Sequence, residues 1–63
     1  METVYIVVLD YANCAVRFYQ AEFQDDWQVQ DIEIYLEQQD PPFNNSSMYY
    51  MCSLRPIHVS TEY

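Results

Sequence analysis

The sequence contains no glycine and no lysine. Without glycine no Gly-rich loop can cradle a phosphate, and any turn needing positive φ is expected to lean on asparagine or aspartate, such as Asn13 or the Asn44-Asn45 pair. Without lysine, the basic complement is Arg17 and Arg55 alone against ten acids, for a formal charge of −8. Such a chain cannot neutralise nucleic-acid phosphates or adhere to an anionic membrane, so neither direct nucleic-acid binding nor membrane association is expected. What its field attracts is a basic protein partner or a cation, besides the plain service of negative charge to solubility.

Long apolar runs are missing too. The run from Val4 to Leu9 is far shorter than a membrane span, and Met1-Glu2-Thr3 lacks the basic start of a secretory signal, so a cytoplasmic location is expected. Cys14 and Cys52 are then reduced thiols, treated as ordinary small residues. His58 is the only histidine, and no CxxC, HxxxH or D-x-D-x-D-G spacing accompanies it, so no metal and no cofactor is expected. Asp10 closes an apolar strand as the nucleophile of haloacid-dehalogenase-type phosphatases does, but Ala12 stands where the second acid belongs and the chain is too short for that fold. Cys14 with Arg17 lacks the spacing and glycines of a phosphate-binding thiolate loop. The expectation is a protein that is not an enzyme.

What the chain does have is one domain, residues 1–63, whose core is thin because a chain this short buries only about 60% of its unfolded surface. Seven tyrosines, three phenylalanines and a tryptophan compensate with burial area. The stretch from Glu22 to Asp40 organises the rest. It holds Glu22, Asp25, Asp26, Asp31, Glu33, Glu37 and Asp40, seven of the ten acids, with no base among them.

Read with period 2, Trp27 and Val29 alternate, and then Ile32, Ile34 and Leu36 alternate in the opposite phase, so a strand here needs a bulge near Asp31. A helix needs no such repair. At 100° per residue Val29, Ile32 and Leu36 form one stripe with Tyr35 at its margin, Asp25 and Gln28 fit a capping box, and Asp40-Pro41-Pro42 stops the helix. Thr3–Leu9 reads as a strand, Ala15–Phe23 as its hairpin partner, Pro41–Ser47 as a loop, Met48–Ser53 as a third strand and Ile57–Tyr63 as a fourth. The fold class is α+β: a small antiparallel sheet of three or four strands with one helix on one face, in the order ββαββ or ββαβ. A right-handed crossover gives sheet order 2-1-3-4.

Two surfaces then lack cover. Trp27 and Ile34 lie opposite the buried stripe, beside Asp31 and Gln38, flanked by Asp26, Glu33, Glu37 and Asp40. Either Trp27 folds back over the sheet edge and Ile34 is one exposed aliphatic, or these residues form a docking surface rimmed by carboxylates. The first and third strands are apolar on both faces, and one helix covers only one. Tyr5, Val7, Tyr49 and Met51 are therefore expected at a homodimer interface, unless the loop and C-terminal tail fold over that face.

The order of parts, an apolar strand ending in VVLDYANC, an aromatic strand, the acidic helix DDWQVQDIEIYLEQQ and a Tyr/Met strand, resembles the small uncharacterised reading frames of bacterial phages and conjugative elements. That resemblance implies a setting in which short acidic proteins bind host proteins, including nucleases of defence systems, by imitating nucleic-acid charge. The expected function is a non-enzymatic protein-binding module, an acidic inhibitor of a nucleic-acid-handling host protein. The alternative is an accessory homodimer whose acids serve only solubility.

Overall fold

β1 (Glu2–Asp10), β2 (Ala15–Phe23), α1 (Val29–Glu37) and β3 (Met48–Ser53) follow one another in a computed structural model that describes residues 1–60. The β-branched and aromatic run of β1 makes it the central strand, paired antiparallel with β2 on one side and β3 on the other, in the order β2-β1-β3. No fourth strand forms over residues 57–60, and the remainder of that expected strand lies outside the described residues.

Register assigns the faces, because residues directly opposite in an antiparallel ladder share a side. Ile6 faces Tyr19 and Cys52, and Val8 faces Arg17 and Tyr50. This side meets the helix. Val4, Ile6 and Val8 join Ile32 and Leu36 of α1 and Met48 of β3 in one buried cluster, with Tyr19, Phe23, Tyr35 and Phe43 packed around it.

The helix is shorter than the acidic stretch that contains it. Asp25 and Asp26 form a turn, and Gln28 is the cap in place of Asp25. The Gln28 backbone N–H donates to Asp31 Oδ2 over 2.9 Å, and the Asp31 N–H donates to the Gln28 carbonyl over 2.9 Å. This later start corrects the expected stripe: Val29, the first residue of the helix, is 55% exposed, while Trp27 packs against the buried cluster. After Glu37 the Leu36 carbonyl accepts from the N–H groups of Gln39 and Phe43, which folds the loop back at the helix end, and Pro41 and Pro42 cannot extend the helix.

The β1–β2 hairpin closes at the pair Asp10 and Ala15, leaving Tyr11–Cys14 as its loop. Positive φ falls on Cys14, at 51°, and not on an asparagine. Asn13 is otherwise engaged. Its N–H donates to Asp10 Oδ1 over 3.2 Å and its Nδ2 to Asp10 Oδ2 over 2.8 Å, so the residue after it makes the left-handed step.

Candidate functional site, an aromatic hollow with an acidic rim

Between the end of β2 and the start of α1 lies an open hollow of about 720 Å³. Met1, Phe23, Trp27, Ile34 and Tyr35 supply its apolar lining and Glu22, Asp26 and Asp31 its negative charge, while the Met1 ammonium lies 3.5 Å from Asp25 Oδ1. Trp27 is fixed from two directions: its Nε1 donates to Glu2 Oε1 over 2.7 Å, and its ring lies against Phe23 with centroids 6.2 Å apart. Phe23 in turn meets Tyr35 edge-on at 5.8 Å, and Tyr35 meets Tyr19 at 6.2 Å, a chain of rings leading back into the core. Such edge-to-face contacts hold ring orientations as well as burying area. Ile34 and Asp26 are exposed, and Asp31 keeps one carboxylate oxygen free of the helix cap.

Trp27 is part core and part surface. It folds back over the sheet edge, and part of it still lines the hollow with Ile34, Asp26, Asp31 and Gln38. The other three expected binding residues lie elsewhere. Glu33 accepts a long bond of 3.4 Å from the Tyr50 hydroxyl, whose pKa is pushed up by burial first and by the Glu33 charge second. Glu37 lines a separate hollow with the Pro41–Met48 loop, and Asp40 is exposed beyond the helix end. The acids thus divide into a rim around the aromatic hollow and a pair one helical turn apart, Glu33 and Glu37, on another flank.

The second uncovered surface is the far side of the sheet. Register places Tyr5, Val7 and Leu9 of β1 there, with Val16 and Phe18 of β2 and Tyr49 and Met51 of β3 beside them. Val7 is only 9% exposed because Phe18 and Met51 flank it, whereas Phe18, Tyr49 and Met51 are each more than half exposed. Tyr11 from the hairpin loop stacks edge-on with Tyr49 at 5.6 Å. The loop after the helix packs on the opposite side, so it does not cover this face. The tail reaches one corner, where Pro56 and Ile57 line a shallow hollow with Tyr5 and Phe18. Leu9, Tyr11, Val16 and Phe18 were not among the expected interface residues. The alternation Val16, Phe18, joined to the hairpin register at Asp10 and Ala15, is the signal that could have found the two on β2.

Asp10 is a structural carboxylate. It is 2% exposed, accepts from Arg17 Nη1 over 2.6 Å and from Asn13, and its pKa is held below the usual carboxylate value by Asn13 first and then by Arg17, against the effect of burial. Cys14 and Cys52 are free thiols. Among the described residues no three His, Cys, Asp or Glu side chains gather as metal ligands, and no helix is long and apolar enough to cross a membrane. No family model matches the chain, and neither the curated proteins nor the solved structures give a match.

Proposed function

We propose that this chain is a non-enzymatic protein-binding module that docks the acidic side of its helix against a basic partner, as an inhibitor occupying the nucleic-acid groove of a cytoplasmic host protein does. The observation that supports this reading is the meeting of Trp27 and Ile34 with Glu22, Asp26 and Asp31 in one hollow that no lysine or arginine lines. The charges act at long range and set the encounter rate, which falls with salt as screening shortens their reach. The aromatic and aliphatic groups supply contact that salt does not screen. A setting in a phage or mobile element fits a small protein that must be soluble, acidic and quick to associate.

The test is capture of basic proteins from host extract, with competition by duplex DNA. Capture by the intact chain should fall steeply between low and moderate salt, yield to the DNA competitor, and be lost when Glu22→Gln and Asp26→Asn, both at the hollow, are combined. Capture that is indifferent to these two substitutions rejects acidic docking.

The open sheet face favours a second reading, an accessory homodimer joined through Tyr5, Val7, Tyr49 and Met51 with Leu9, Val16 and Phe18, in which the acids only keep the protein soluble. Contiguous exposed apolar patches often mark interaction sites, and closed two-fold dimers are the commonest assemblies. Sedimentation distinguishes the two. A species of twice 7.6 kDa that Phe18→Ser with Met51→Ser dissociates, without loss of β-sheet signal, supports the dimer, and a 7.6 kDa species at micromolar concentration rejects it.

A further inference from the structure

We infer that the hollow between β2 and α1 is a receptor for one arginine side chain of a protein partner. The inference rests on the acidic-docking reading and narrows it to a chemistry. An occupant must satisfy both the lining and the rim. A purely apolar side chain would leave Asp26 and Asp31 facing it and partly desolvated, which is costly. An anion is repelled by three carboxylates. A divalent metal finds no group of three ligands among the described residues. A cation with a planar, weakly hydrated face fits both parts.

The ring best placed to receive it is Trp27. Its N–H is committed to Glu2, which holds the indole in one orientation, and Phe23 supports it at 44° between ring planes. A cation over an indole face is drawn by the ring quadrupole, and the anionic acceptor on the indole N–H adds electron density to the ring. Arginine is preferred to lysine because its guanidinium stacks flat while its N–H fork still reaches carboxylates, whereas an ammonium must give up more hydration for the same contact. Asp26 and Glu22 supply carboxylate acceptors, and the oxygen of Asp31 not used by the helix cap adds a third. The two local positive charges already have carboxylate partners: Asp31 caps the start of α1, and Asp25 lies 3.5 Å from the Met1 ammonium. At about 720 Å³ the hollow also has room for the main chain that carries the side chain.

The test is titration of the full-length, ¹⁵N-labelled protein with N-acetyl-arginine amide, read at the single tryptophan indole N–H and at the Ile34 and Asp31 amides. Saturable binding is expected, with the shifts confined to the hollow. The citrulline counterpart, the same shape without charge, should bind at least about tenfold more weakly, and the lysine counterpart several-fold more weakly. Asp26→Asn should weaken arginine several-fold, while Asp40→Asn, the same change of net charge outside the hollow, should leave it unaltered. Shifts spread over every acid, equal binding of citrulline or lysine, or equal weakening by Asp40→Asn each overturn the inference. Absent arginine binding with salt-sensitive capture intact rejects the receptor and spares acidic docking, and the converse result does the reverse.

Discussion

The indole N–H of Trp27, just ahead of the helix cap, donates over 2.7 Å to the carboxylate of Glu2, the first residue of the central strand. This bond ties the entrance of the helix to the sheet, beside the contact of the Met1 ammonium with Asp25 at 3.5 Å. A hydrogen bond to a charged acceptor is worth more than a neutral one, but this pair is only half-buried. Glu2→Ala should therefore cost about 1 kcal/mol in urea unfolding. It should also shift the emission of the only tryptophan toward that of a solvated indole, and an unchanged spectrum would show that Phe23 alone holds the ring.

Ile32 and Leu36 carry the helix's share of the core, and Val29 does not. Truncating a fully buried aliphatic costs about 2–5 kcal/mol, which is comparable to the whole stability of a domain this small. Ile32→Ala or Leu36→Ala should leave the chain largely unfolded at 25 °C by circular dichroism. Val29→Ala should move the urea midpoint little, by about 0.5 kcal/mol or less. A large loss at Val29 would restore the three-residue stripe that periodicity suggested.

Cys14 occupies the left-handed region with φ of 51°, a conformation that costs a β-carbon about 1 kcal/mol relative to glycine. In a chain with no glycine this is a place where introducing one should help. Cys14→Gly is expected to raise the thermal midpoint. Asn13→Gly should lower it, because it removes the side-chain donor to Asp10. Equal effects at the two positions would mean that loop flexibility, not the left-handed step, sets the response.

How much of this was legible in the residues depends on which force decided each part. The neighbours β2-β1-β3 and the limits of β2 and β3 were readable, since β-branched runs, turn residues and crossover handedness are local or nearly topological signals. β1, however, runs one residue further at each end than Thr3–Leu9, and the expected fourth strand does not form over residues 57–60. The helix start was not readable either. Asp25 with Gln28 carries as good a capping pattern as Gln28 with Asp31, so local pattern alone does not choose between them. Helical spacing brought Trp27, Ile34 and Asp31 together in advance, and Tyr35 follows Ile34 on the same helix, but Glu22 and Phe23 join them only because β2 ends beside α1. The same limitation applied to Cys14: it takes the left-handed step because Asp10 had already claimed Asn13.

Asp10 links the hairpin to the pH response of the fold. Its folded-state pKa lies below the ordinary 3.8, lowered first by the Asn13 side chain and then by Arg17, so the folded protein holds its proton less tightly than the unfolded chain does. The stabilisation from this carboxylate is therefore fully present above the unfolded value and is lost as pH falls through the folded one. Asp10→Asn keeps the shape but removes the charge that Arg17 meets at 2.6 Å. The variant should be less stable than the parent at pH 7, and the gap should narrow as pH drops below about 3.8. Comparing the two proteins isolates this group from the other acids, which titrate alike in both. A gap that persists unchanged to pH 2 would mean that shape and not charge holds the Asp10–Arg17 pair, and carboxyl-detected NMR of Asp10 would then show an ordinary titration.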